Sequence, residues 1–192
     1  MKICVYGASS TQLEQSYISA VEDFGRLMAK SGHGLVFGAG NNGLMGAAAR
    51  GVSAEGGEII GIVPSFFNVD GVLYPNCTEI IYTETMRERK KLMEEKADAF
   101  VAVPGGIGTF DEFFEILTLK QLGRHQKPIA ILNVNGYYDH LVKLLEVAVC
   151  EGFMTESTKA LCGVFESPEE LIKYLETYNP DGYEFSLHKK VE

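Results

Sequence analysis

Short unbroken apolar runs alternate with helix-patterned stretches along most of this chain, and that alternation leaves few folds open to it. Strand-like runs lie at Lys2–Tyr6, Gly34–Phe37, Ile59–Val63, Thr78–Tyr82, Ala99–Val103 and Ile129–Asn133, with a weaker one at Leu161–Phe165. Helical patterns fill the intervals, at Gln12–Lys30, Gly43–Glu55, Thr85–Lys96, Thr109–Leu122, Tyr138–Glu151 and Pro168–Tyr178. The strands are rich in Val and Ile and continuous, as expected where both faces of a sheet are covered. Strand and helix in succession predict βαβ units, hence an α/β fold with a mostly parallel sheet and helices on both faces. Ligands of such folds sit beyond the carboxyl ends of the strands. The Gly-rich stretches of this chain all follow strands and gather on that edge.

A chain of 192 residues is expected to form a single domain with a substantial core. Its net charge of -9 argues against a general nucleic-acid binder, which needs a basic face. A small anionic substrate stays open where local donors outweigh the global field. No apolar run reaches the length of a membrane span. The N-terminus, MKICVYGASS, enters a strand pattern with no secretory apolar core. Cys4, Cys77, Cys150 and Cys162 are scattered with no C-x-x-C pair, which fits a reduced, cytoplasmic protein. His33, His125, His140 and His188 are equally isolated, so neither a metal nor another cofactor is expected. The tail beyond Pro180 has no clear pattern.

The run Pro104 to Glu115, PGGIGTFDEFFE, carries the strongest chemical signal. It turns a buried strand into a helix, and a helix start leaves backbone N–H groups converging on one spot. The helix dipole adds partial positive charge there. The absence of side chains at Gly105, Gly106 and Gly108 lets a phosphate approach the main chain. Glu112 then places a carboxylate beside the anion. Thr109 and Glu112 also have capping-box spacing, so a purely structural role for this glutamate is the competing reading. The apolar residues Phe110, Phe113, Phe114, Ile116, Leu117, Leu119 and Leu122 predict a helix buried nearly all round, in a core or at a subunit interface.

Three more segments converge on the same edge. Gly7-Ala8-Ser9-Ser10 follows the first strand and brings small hydroxyls, Ser9 among them, near backbone amides. Gly38-Ala39-Gly40-Asn41-Asn42-Gly43 spells G-x-G-x-x-G, but the next strand ends Ile62-Val63-Pro64 with no acid to hold a ribose. Gly40 and Gly43 are therefore read as the second wall of a mononucleotide site, with a tight strand–helix turn as the alternative. Thr85 and Glu88 predict a capped helix whose inward stripe carries Met86, Met93 and, between them, Arg89. A charge on that stripe needs a partner, either a sheet-edge carboxylate or a ligand. The loop Ser65–Asn76, with Phe66, Phe67 and Tyr74, either covers a bound base or packs into the core.

Arg87-Glu88-Arg89-Lys90 followed by Pro104-Gly105-Gly106-Ile107-Gly108-Thr109-Phe110-Asp111-Glu112 resembles the LONELY GUY (LOG) family, often mislabelled as lysine decarboxylase. The similarity runs from the first strand to about Tyr178 and includes Gly43-Leu44-Met45-Gly46 and Asn133-Val134-Asn135-Gly136-Tyr137-Tyr138. The resemblance implies a Rossmann-like fold, a homodimer with its site near the interface, and hydrolysis of the N-glycosidic bond of a purine nucleoside 5′-monophosphate such as AMP or a cytokinin ribotide. It carries the family's essential arginine to Arg89 and its essential glutamate to Glu112. It assigns the phosphate to Gly105, Gly106, Gly108 and Thr109. Ser9, Gly40, Gly43, Met86, Arg89 and Lys90 complete the expected substrate contacts. Many members have His at the position of Arg87 and Gly at that of Ala39. A non-catalytic nucleotide- or cofactor-binding module is the alternative. A pyridoxal-phosphate decarboxylase ranks below both, because no lysine lies within the Gly-rich turns.

Overall fold

The computed structural model describes residues 1–67 and 71–180. Seven parallel strands form one sheet: β1 (Lys2–Tyr6), β2 (Gly34–Phe37), β3 (Ile59–Pro64), β4 (Glu79–Thr83), β5 (Ala99–Ala102), β6 (Ile129–Leu132) and β7 (Gly163–Phe165). The connecting helices are α1 (Gln15–Lys30), α2 (Gly43–Ala54), α3 (Met86–Lys96), α4 (Ile107–Gln121), α5 (Asp139–Cys150), the single turn α6 (Glu156–Lys159) and α7 (Pro168–Thr177). The tail beyond Pro180, with His188, lies outside the described residues, as do Asn68, Val69 and Asp70 of the Ser65–Asn76 loop.

Successive residues of each strand feed opposite layers, as the period-2 geometry of a strand requires. Ile3 and Val5 of β1 and Val101 of β5 face α1, α2 and α7, meeting Phe24, Met28, Val52 and Leu171. Cys4, Tyr6 and Phe100 face α3 and α4, meeting Met93, Phe113, Ile116 and Leu117. Every residue of β2, β3, β5 and β6 is buried, which is why these strands read as continuous apolar runs. The edge strands β4 and β7 are partly open, and β7 is the run that reads as weaker in sequence.

Strand order is β4-β3-β2-β1-β5-β6-β7. The chain builds outward from β1 to β4, then returns to add β5 on the other side of β1. The loops after β1 and β5 therefore diverge and leave a crevice at the carboxyl end of the sheet, the usual ligand position in open α/β folds.

Two local expectations shift. The Thr85–Glu88 capping box is present: Thr85 Oγ1 accepts from the Glu88 amide at 3.2 Å, and Glu88 accepts from the Thr85 amide at 3.2 Å. Thr109 and Glu112 form no such box. Helix α4 starts two residues earlier, with Gly106 as its N-cap and no side-chain cap. Nor is α4 buried all round. Phe113, Ile116, Leu117 and Lys120 pack inward, whereas Ile107 is 85% exposed and Phe114 38% exposed. The helix belongs to the outer layer, and nothing among the described residues covers its far face.

Candidate active site

A cleft of about 560 Å³ opens at the switch point, within the size range of small-molecule sites. Its floor comes from the loops after β1, β2 and β5. Ser9, Gly40, Gly106, Gly108, Thr109 and Glu112 all line it, and α3 adds Met86 and Arg89 from the side. Four segments far apart in sequence thus meet around one space.

The α4 end supplies the anion-binding character. The Phe110 amide donates to the Gly106 carbonyl at 3.0 Å and closes the first turn. The amides before it are those a helix leaves without internal partners. Gly106 and Gly108 carry them into the cleft, where the helix dipole favours negative charge. Gly105 lies just behind, buried, its carbonyl accepting from the Tyr137 hydroxyl at 2.5 Å.

Arg89 and Glu112 form the charged wall. Arg89 Nη1 donates to Glu112 Oε1 at 2.7 Å, with side-chain exposures of 9% and 12%. Arg89 Nε donates to the Ile62 carbonyl within β3, at 3.1 Å. The remaining nitrogen, Nη2, lies against Gly38, where an added Cβ would come within 2.0 Å of it. The partner of the inward arginine is therefore the cleft glutamate itself, together with a carbonyl of β3. Burial pushes the Glu112 carboxyl above its ordinary value, opposed by the Arg89 charge and hydrogen bond. A partly desolvated carboxylate held by a guanidinium, one helical turn beyond an anion-binding helix start, can face a cation or activate water.

Gly43 does not line the cleft. It starts α2 in the left-handed region at φ +60°, and a Cβ there would lie 2.3 Å from the Ala8 carbonyl oxygen. It seats the β2 loop on the β1 loop, and the amides of Leu44 and Met45 both donate to the Ala8 carbonyl. Ala39 is also left-handed, at φ +61°, which gives the family's usual glycine at that position a conformational reason. Lys90 does not line the cleft either. Its ammonium bonds Asp111 at 3.1 Å and pairs with Glu115, so it ties α3 to α4 on the outer side. The next residue of a helix points about 100° away from Arg89, and opposite charges were already waiting there.

The apolar part of the cleft is Met45, Val63, Phe67, Val72, Leu73 and Met86. Of the loop aromatics, Phe67 lines the cleft, Phe66 stacks on it from outside at 4.9 Å, and Tyr74 is core, edge-on to Phe37. Val72 and Leu73 escape a reading by sequence because main-chain pairing brings them in. Gly40 bridges Leu73, and the Asn41 amide donates to the Val72 carbonyl at 2.9 Å. Gly38 was visible only as part of a glycine pattern, with no sign that it seats a guanidinium.

A family model described as "Possible lysine decarboxylase" matches residues 45–175. The cytokinin riboside 5′-monophosphate phosphoribohydrolase LOG of Oryza sativa subsp. japonica is 38% identical over 186 residues, covering 97% of this chain and 76% of the relative. LOG2 of Arabidopsis thaliana, of the same name, is 35% identical, covering 96% and 86%. Among solved structures, the molybdenum cofactor binding protein of Rippkaea orientalis superposes with a TM-score of 0.71 at 23% identity, covering 92% and 95%. The molybdenum cofactor carrier protein of Chlamydomonas reinhardtii does so with 0.71 at 20%, covering 91% and 95%. At those identities the structural likeness establishes the Rossmann-like fold alone. Matched over more than half its length by the family model, and over nearly all of it by relatives more than one-third identical, the chain belongs to the LOG family.

Proposed function

We propose that this chain is a nucleoside 5′-monophosphate phosphoribohydrolase. It adds water across the N-glycosidic bond of AMP or a cytokinin ribotide, releasing the free base and ribose 5-phosphate. The observation that carries the reading is the Arg89–Glu112 pair, 2.7 Å apart, on the wall of the same cleft into which α4 aims its first amides. The 5′-phosphate sits on the turn Gly105 to Thr109, with Ser9 and Gly40 on the facing loops. The base lies toward Met86, Phe67 and Leu73. The ribose is then left beside Glu112.

Cleavage of such a bond passes through an oxocarbenium-like state. Glu112 supplies the negative charge that this cation needs, as electrostatic stabiliser, base toward water or nucleophile. Arg89 is permanently protonated and donates no proton to the leaving base. It fixes the carboxylate and orients the ribotide. Among the described residues no lysine lines the cleft, so nothing there offers pyridoxal phosphate the imine that a decarboxylase requires. No helix of the described residues is long and apolar enough to cross a membrane.

The chain acts as one nucleotide-binding domain, in the cytoplasm, as a homodimer. The open face of α4, with Ile107 and Phe114 exposed beside half-buried Phe110 and Leu119, supports a second copy packing next to the cleft. Purified protein incubated with a panel of ribotides, read by chromatography for free base, tests the reaction. Base release that disappears in Glu112→Gln is expected. Tight AMP binding without base release would instead make the protein a carrier, and full activity in Glu112→Gln would remove the assignment. Light scattering tests the dimer.

A further inference from the structure

The segment after β6 has no place in the reaction as described, yet it reaches behind the Gly-rich turn. Asn133 Oδ1 accepts from the Tyr138 amide at 2.7 Å, and Asn133 Nδ2 donates to Asp139 at 2.8 Å. Asn135 turns the chain through the left-handed region at φ +54°. Together these present two tyrosines side by side, their rings edge-to-face at 4.9 Å. The Tyr138 hydroxyl donates to the Val103 carbonyl at 2.8 Å, and that of Tyr137 to the Gly105 carbonyl at 2.5 Å.

The two bonds differ in consequence. Val103 precedes Pro104, which has no N–H to aim, so the buried Tyr138 anchors the strand end. Gly105 precedes Gly106. In a trans peptide the carbonyl of one residue and the N–H of the next point in opposite directions, and none of the described peptides is cis. A hydroxyl holding the Gly105 carbonyl on the outer side therefore turns the Gly106 N–H toward the cleft. Without side chains on either residue, that peptide plane has little else to fix it.

We infer that Tyr137 is a positioning residue: through the Gly105 carbonyl it orients the Gly106 amide that receives the substrate phosphate. The inference rests on the phosphate reading of the turn. It treats the affinity for a phosphorylated ligand as set partly by a hydroxyl that never touches it.

Tyr137 is partly exposed and packs its ring on Tyr138 and, edge-on, on Tyr17. Tyr137→Phe keeps those ring contacts and deletes only the hydroxyl. Calorimetry with ribose 5-phosphate, adenine binding and steady-state hydrolysis of AMP are compared in wild type and Tyr137→Phe. Expected is a loss of about tenfold in ribose 5-phosphate affinity and a matching rise in KM, with kcat within about twofold. Adenine affinity should stay at its wild-type value, and the thermal midpoint should fall only by the few degrees that one lost hydrogen bond to the buried Gly105 carbonyl explains. Wild-type affinity for ribose 5-phosphate in Tyr137→Phe overturns the inference and leaves the enzymatic reading standing. Parallel loss of adenine and ribose 5-phosphate binding also overturns it, as general loosening. A wild-type protein that neither binds ribose 5-phosphate nor releases base overturns both.

Discussion

Arg89 Nη1 stands 2.7 Å from Glu112 Oε1, and both side chains are nearly closed off from solvent. The pair joins α3 to α4, so the charge that orients the carboxylate and the charge that would face the substrate belong to one unit. Each group is tolerable inside the protein only because of the other.

Removing one partner should therefore be costly in two ways. Arg89→Ala strands a buried carboxylate and frees the Ile62 carbonyl. It is expected to destabilise the fold by about 3–5 kcal/mol and to abolish turnover. Arg89→Lys keeps a positive charge but cannot serve Glu112 and Ile62 from one planar fork. It should fold with a smaller loss and still turn over poorly. Urea unfolding alongside ribotide hydrolysis separates the two effects. Near-normal activity in Arg89→Lys would show that charge alone suffices.

Glu112 also sets a pH dependence. Burial, the largest influence, raises its carboxyl above the ordinary value of 4.5 in spite of Arg89. With Glu112 acting as proposed, turnover needs the ionised form, so kcat/KM should fall on an acid limb lying above pH 4.5. Stability has the opposite sign. The folded state holds a proton that the unfolded chain has already lost, so this group's contribution declines as pH rises from 4.5 through the raised value. Glu112→Gln should remove both the turnover and that decline in stability. A pH–rate profile and unfolding midpoints over the same pH range check the two slopes.

Gly38 connects the β2 loop to this pair. A methyl group placed there would meet Arg89 Nη2 at 2.0 Å, a separation that forces the guanidinium to move. The guanidinium is the far end of a flexible side chain, so the fold can yield by swinging it off Glu112. Gly38→Ala should keep the fold, with a loss of about 1–3 kcal/mol, while activity drops as sharply as in an Arg89 variant. Circular dichroism, thermal unfolding and hydrolysis assays decide it. An active Gly38→Ala protein would mean that the guanidinium orientation is unimportant.

The fold was legible because its central strands are buried on both faces and so carry no polar interruptions; Ile59–Pro64 and Ile129–Leu132 are runs of this kind. The lining of the candidate cleft was legible where the turn needs glycine, at Gly106 and Gly108, and where helical pitch turns a charge inward, at Arg89. It was not legible where a side chain had two possible directions. Lys90, expected at the substrate from the family resemblance, bridges Asp111 and Glu115, because the stripe that turns Arg89 inward turns its neighbour about 100° away, toward the acids of α4. Thr109 and Glu112 imitate a capping box, although Gly106 is the cap. The pairing of Arg89 with Glu112 spans 23 positions and exists only once α3 and α4 pack on the same face of the sheet. Val72 and Leu73 reach the cleft through main-chain contacts with the β2 loop that no local pattern encodes.

Lys120 makes stability depend on pH in the opposite sense to Glu112. It is fully buried on α4, its ammonium donates to the Leu161 carbonyl at 2.8 Å, and it lies 4.6 Å from the centre of the Tyr178 ring. Burial pushes its pKa down to about 8 from an ordinary value of 10.5. Between those values the unfolded chain holds the proton and the folded protein has released it, so stability from this group rises with pH. The full gain is on the order of 3 kcal/mol, reached above the unfolded value and lost as pH falls back through the folded one. Lys120→Met keeps most of the volume and removes the titration. Replacing a buried charge by an apolar side chain is often neutral, so the variant should be close to wild type in stability at neutral pH. It should fall progressively behind wild type as pH rises past 8. Urea midpoints measured in parallel across that range test it; a stability difference that stays constant with pH would mean that the Lys120 ammonium keeps its ordinary proton affinity inside the fold.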